Sequence, residues 1–133
     1  MSALVVDTSS WIAWLAGGGS PLIAEALEEG RVQLPIVVVA ELLSGRLDAS
    51  ERAELQDMLA DLAPLGLGLD HWFRVGRLRA ALRARGLSVS TPDAHVAQCA
   101  LDVDAVLLTE DRVFAKIAEA VPLTTRAPAI PAE

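Results

Sequence analysis

The sequence predicts an α/β fold, a parallel central β-sheet sandwiched by α-helices. Three observations carry this expectation. Short unbroken apolar runs, Ala3-Leu4-Val5-Val6 and Ala105-Val106-Leu107-Leu108-Thr109, suit strands buried on both faces. Segments with helical start and stop signals alternate with such runs, the pattern of a parallel sheet with helical crossovers. Acids follow both runs closely, Asp7 at once and Asp111 two residues after Thr109. In open sheets of this kind, sites form just beyond the carboxyl ends of the strands.

Taken in order, the first strand ends at Asp7, and the hydroxyls of Thr8-Ser9-Ser10 are expected to cap a helix through Trp11-Ile12-Ala13-Trp14-Leu15. Gly17-Gly18-Gly19 stops it, and Ser20-Pro21 starts a second helix to Glu29, ended by Gly30. Val32-Gln33-Leu34 is the next strand. Pro35 is expected at the first position of a helix that contains Glu41 and ends near Gly45, although Ile36-Val37-Val38-Val39 has strand character too. Ser50 to Leu62 predicts an amphipathic helix with Ala53, Leu55, Met58, Leu59 and Leu62 inward. Leu65-Gly66-Leu67 suggests a short strand. Asp70 is expected to cap a long helix to about Arg85, closed by Gly86. Thr91-Pro92-Asp93 starts a helix to about Leu101, and the Ala105–Thr109 strand follows. A helix from Arg112 to Ala120 and a strand near Val121-Pro122-Leu123 complete one domain over residues 1–126. Residues 127–133 are expected to form a flexible C-terminal tail.

Composition narrows the function classes. The 133 residues fit one domain, able to bury about two-thirds of its unfolded surface. Hydrophobic residues make up 53%, yet the longest apolar run, Leu34 to Ala40, falls far short of the roughly 20 residues of a membrane span. The N-terminus lacks the basic start of a signal peptide, and with a single cysteine, Cys99, the expected location is the cytoplasm. One cysteine also excludes an internal disulfide. A net charge of −7 opposes polyanion binding, softened by five of the eleven basic residues falling between Arg74 and Arg85.

Among 18 acids, four stand in unusual settings. Asp7 ends a buried strand. Glu41 interrupts the apolar stretch Val37-Val38-Val39-Ala40 and Leu42-Leu43, where an unpaired buried charge would be costly. Asp93 lies at a helix start, and Asp111 just after a strand. Each has an ordinary reading: a helix cap for Asp7 and Asp111, a dipole partner for Asp93, an arginine pair for Glu41. Together they make a carboxylate cluster that requires a cation. All-oxygen ligands suit Mg2+ or Mn2+, and such an ion can activate water against a phosphodiester.

At these residues the chain resembles the PIN-domain ribonucleases, above all the VapC-type toxins of bacterial toxin–antitoxin pairs. The resemblance rests on Val5-Val6-Asp7-Thr8-Ser9 with Trp11-Ile12, on Val38-Val39-Ala40-Glu41-Leu42-Leu43-Ser44-Gly45, on Thr91-Pro92-Asp93-Ala94, and on Leu107-Leu108-Thr109-Glu110-Asp111-Arg112-Val113-Phe114. It spans about residues 3 to 123. It implies a metal-dependent endoribonuclease acting on RNA, a homodimer, and inhibition by a VapB-like antitoxin. By position, Asp7, Glu41, Asp93 and Asp111 match the family's catalytic and metal-binding quartet, with Ser9 and Thr109 as supporting hydroxyls. Val113 departs from the acid or amide that members often carry there, which leaves a second metal short of a ligand.

Other residues have weaker claims. Arg74 and Arg77 on the long helix either contact RNA phosphate or cover the core edge with their stems, and Arg112 is the basic residue nearest the expected site. Trp11, Trp14 and Trp72 suit core or dimer packing better than base stacking. His95, two residues after Asp93, faces another side of its helix and is set aside as a ligand, and His71 is expected at the surface. Cys99 is expected to pack in the core. Three rival functions remain. An aspartyl phosphatase would want an acid where Ser9 stands. A non-catalytic PIN-like binding module would be expected to have lost some of the acids. A PIN-family RNA-processing nuclease outside any toxin system would look much the same.

Overall fold

In the computed structural model, which describes residues 2–18 and 20–128, five parallel strands form one sheet. They are β1 (Leu4–Val6), β2 (Val32–Pro35), β3 (Ala63–Leu65), β4 (Val106–Leu108) and β5 (Thr124–Arg126), in the spatial order β3-β2-β1-β4-β5. The expected fold class is what the molecule adopts. Consecutive residues of β1 and β4, which point to opposite faces, are almost all buried, so both faces of the sheet are covered. The order reverses between β1 and β4, and the gap beyond their carboxyl ends is the switch point where such sheets hold their sites.

Helices α1 (Thr8–Leu15) and α2 (Pro21–Glu28) link β1 to β2, α3 (Ile36–Leu43) and α4 (Ala49–Ala60) link β2 to β3, α5 (Leu69–Ala84) and α6 (Thr91–Asp102) link β3 to β4, and α7 (Arg112–Ala118) leads to β5. Helix α6 runs through the middle, with every residue from Ala94 to Ala100 buried. Trp11 and Phe114, the largest fully buried side chains, fill the core, and Trp11 has no exposed edge on which a base could stack.

Several local expectations are corrected. The cap of α1 is the Asp7 carboxylate, which accepts from the Ser10 N–H, and not the following hydroxyls. Pro35 closes β2 and serves as the N-cap of α3 instead of its first helical residue. Gly68 stands at the N-cap of α5, leaving Asp70 in the first turn, and Ser90 caps α6 in place of Thr91. The two short edge strands lie two to three residues from their expected positions: a run of apolar residues marks burial, whereas register follows the backbone pairing with β2 and β4. Ala53 is exposed on α4, which buries Leu55 and Leu59. Gly19 and residues 129–133, including most of the expected tail, lie outside the described residues. Among the described residues no helix is long and apolar enough to cross a membrane.

Candidate functional site

Four elements bring the four singled-out acids to one cleft. Asp7 leaves the end of β1, Glu41 sits in the last turn of α3, Asp93 in the first turn of α6, and Asp111 caps α7 beyond β4. All four line a cleft of about 240 Å³, whose walls also include Thr8, Ser9, Ile12, Val96 and Phe114.

Asp7 is the most buried, at 5% exposure, and both its oxygens accept hydrogen bonds. Oδ1 accepts from the Ser10 N–H at 2.9 Å and from the Ser9 hydroxyl at 3.2 Å, and Oδ2 accepts from Thr109. Thr109 in turn accepts the Asp111 N–H at 3.0 Å, while Asp111 Oδ1 accepts from the Val113 N–H at 3.0 Å. Glu41 is exposed and is held by the Thr8 hydroxyl at 2.7 Å, not by an arginine. Reading Thr8 only as a capping hydroxyl missed this bond, because a contact across 33 residues leaves no trace in local spacing.

Asp93 records the shared environment. Burial pushes its carboxyl above its ordinary value and a bond from Ser90 pulls it back, but the charges of Asp111, Glu41 and Asp7 all add to the rise. These carboxylates therefore feel one another. They do not crowd: among the described residues the only three metal-type side chains whose ligand atoms lie within 4.8 Å of one another are His71, His95 and Cys99. An ion that keeps several waters can reach separated carboxylates indirectly. The donor set is all oxygen and mutually repelling, running from buried Asp7 to exposed Glu41 and Asp111, which fits a hard divalent cation.

The basic residues stand apart from the cleft walls. Arg112 and Arg77 are exposed, whereas Arg74 forks onto Asp102 with bonds of 2.9 and 3.0 Å. His71, expected at the surface, is 3% exposed and bonded within the core. Trp72 lies parallel to the His95 ring, with centroids 4.6 Å apart. Cys99 is fully buried, as expected.

An all-parallel sheet with acids lining a cleft at its switch point defines an α/β protein with a candidate hard-cation site. The PIN-domain family model matches residues 4–120, so the chain belongs to the PIN-domain family, whose members are nucleases. Among solved structures, a chain of VapBC2 from Rickettsia felis bound to a promoter DNA fragment has a TM-score of 0.75 at 18% identity, covering 96% of this chain and 99% of that one. A chain of DNA-bound VapBC from Salmonella typhimurium gives 0.75 at 19% identity, covering 96% and 98%. VapBC-5 from Mycobacterium tuberculosis gives 0.65 at 27% identity, covering 98% and 100%. A search of curated proteins finds no matching sequence.

Proposed function

We propose that this protein is a metal-dependent endoribonuclease and the toxin of a VapBC-type pair, acting in the cytoplasm as a homodimer and restrained by a VapB-like antitoxin. One observation carries the catalytic reading: carboxylates from four separate elements line a single cleft on a PIN-domain chain. The toxin reading is supported by near-complete mutual coverage with chains of three VapBC complexes. Exposed Leu67, Leu69 and Phe73, clustered where β3 meets α5, support a subunit contact.

The chain's own groups do the positioning. Ser9, Ser10 and Thr109 hold Asp7 in one orientation, Thr8 aims Glu41, and Thr109 keeps Asp111 in step with Asp7. A Mg2+ or Mn2+ ion held by Asp7, Glu41, Asp93 and Asp111 would supply an activated water and stabilise charge on the phosphate. Val113 adds no ligand, which favours one ion over two. Arg112 and Arg77 are free to meet RNA phosphate, so binding should weaken as salt rises. Arg74, paired with Asp102, contributes less.

Purified protein with Mg2+ or Mn2+ should cleave RNA, and both EDTA and Asp7→Asn should abolish cleavage. Activity surviving both treatments would overturn the metal mechanism. Co-expression with a small upstream reading frame should yield a tight complex. Absence of such a partner would favour an RNA-processing role outside a toxin system.

A further inference from the structure

Helix α3 carries Glu41 but begins without a side-chain cap, because Pro35 stands at its N-cap. The Val37 N–H, one of the helix's unpaired first-turn donors, goes instead to His95 Nε2 at 3.3 Å. His95 belongs to α6, the helix that bears Asp93, and is completely buried. A backbone N–H can only donate, so His95 Nε2 carries no proton. The neutral ring then holds its proton on Nδ1, which faces His71 Nε2 at 2.8 Å. That His71 nitrogen must accept, leaving the His71 proton on Nδ1, from which it is donated to Asp102 Oδ2 at 2.8 Å. Asp102 is itself held by Arg74 and by Gln98 Nε2 at 2.8 Å.

One proton assignment therefore satisfies every atom from Asp102 to Val37. Protonating either ring would set two donors face to face. Trp72 lies against the His95 ring and donates its indole N–H to Gly66 O at 3.0 Å. Gly66, at φ +89°, packs so closely that a Cβ there would overlap His95 Cε1.

The nearby Cys99 sulfur, 3.8 Å from His95 Nδ1, raises the alternative of a soft-metal site. The proton logic rejects it. A neutral His95 bound to an ion through Nδ1 would carry its proton on Nε2, directly against the Val37 N–H. Burial also pushes the Cys99 thiol up to about 12, so without an ion the sulfur keeps its proton at neutral pH.

We propose that His95 is a positioning residue: locked in its Nδ1–H tautomer by His71 and Asp102, it caps α3 from α6 and so holds Glu41 in register with Asp93. Its consequence for metal binding rests on the nuclease reading above, whereas the positioning itself is measurable without any ion. In this role an imidazole of α6 supplies what Pro35 cannot, and the helix bearing one acid sets the helix bearing another.

The test uses the full chain with His95→Gln, which keeps an acceptor for the Val37 N–H, and His95→Leu, which removes it. In metal-free wild-type protein, nitrogen-15 NMR should find both histidines as Nδ1–H tautomers at neutral pH. Hydrogen exchange at the Val37 amide should be slow in wild type and His95→Gln and fast in His95→Leu. Mn2+ titration should show affinity falling about tenfold in His95→Leu and largely restored in His95→Gln. An Nε2–H tautomer at His95, or unchanged Val37 protection in a folded His95→Leu, overturns the proposal. So does wild-type Mn2+ affinity in that variant. If wild-type protein itself binds no Mn2+, the nuclease reading fails, and the tautomer and exchange results still decide the positioning claim. Should His95→Leu fail to fold, His71→Asn and Asp102→Asn carry the same comparison, each expected to speed Val37 exchange; unchanged exchange in both overturns the proposal.

Discussion

Thr109 donates its hydroxyl to Asp7 Oδ2 across the gap between β4 and β1. Thr109 Oγ1 also accepts the Asp111 N–H at 3.0 Å, so one side chain braces the acids that follow both central strands. Thr109→Val keeps the shape and removes the hydroxyl, leaving a 5%-exposed carboxylate short of a donor. The expected cost is about 1–3 kcal/mol in urea unfolding, together with weaker Mn2+ binding. Thr109→Ser should recover most of both.

Asp93 pulls stability and function in opposite directions. Burial disfavours its charged form, and Asp111, Glu41 and Asp7 add repulsion. Asp93→Asn removes a charge held at a cost, so in EDTA the variant should unfold at a higher temperature than wild type. With Mn2+ the order should reverse, because the ion stabilises only a chain that binds it. Calorimetry in both conditions checks the crossover.

Gly66 and Gly86 both have positive φ, +89° and +84°, but only Gly66 faces a close neighbour. Gly86→Ala should cost about 1–2 kcal/mol for backbone strain alone. Gly66→Ala should cost roughly 1–3 kcal/mol more, since a methyl would drive into His95. Equal losses in denaturant melts would show that the His95 ring yields freely.

Asp102 sets an acid limit on stability. Burial raises its carboxyl, but bonds from Arg74, His71 and Gln98 outweigh burial and leave it at about 2. A group lowered on folding adds stability that is complete above its ordinary value of 3.8 and lost as pH falls toward about 2. Asp102→Asn should be less stable than wild type at pH 7, and the gap should narrow steadily below pH of about 4. A gap that stays constant down to pH of about 2 would remove Asp102 as its source.

Much of the architecture was legible. The apolar runs at β1 and β4 stand out because strands covered on both faces admit no polar residue, and that same constraint makes the acids just beyond them conspicuous. The edge strands β3 and β5 lie away from their expected positions because each is mostly exposed and carries no such pattern. Helix caps differ from expectation at α1 and α6, where neighbouring Ser, Thr and Asp offer equivalent oxygens, and at α5, whose N-cap Gly68 has no side-chain oxygen to mark it. His71 was taken for a surface residue, since a polar ring flanked by Asp70 and Trp72 gives no hint of its partner. The signal that points to burial lies on α6. His95, Gln98, Cys99 and Asp102 recur at helical spacing on one face, a polar stripe through an otherwise apolar helix.

Strand identity, helix order and the four candidate acids were determined by the sequence alone, because burial on both faces and helix termini leave marks within a few residues. The bond from Thr8 to Glu41, the brace of Thr109 on Asp7 and the chain from Asp102 to Val37 were decided only by tertiary structure. Each joins residues 24 to 102 positions apart, and a hydrogen bond selects partners by direction and distance in space.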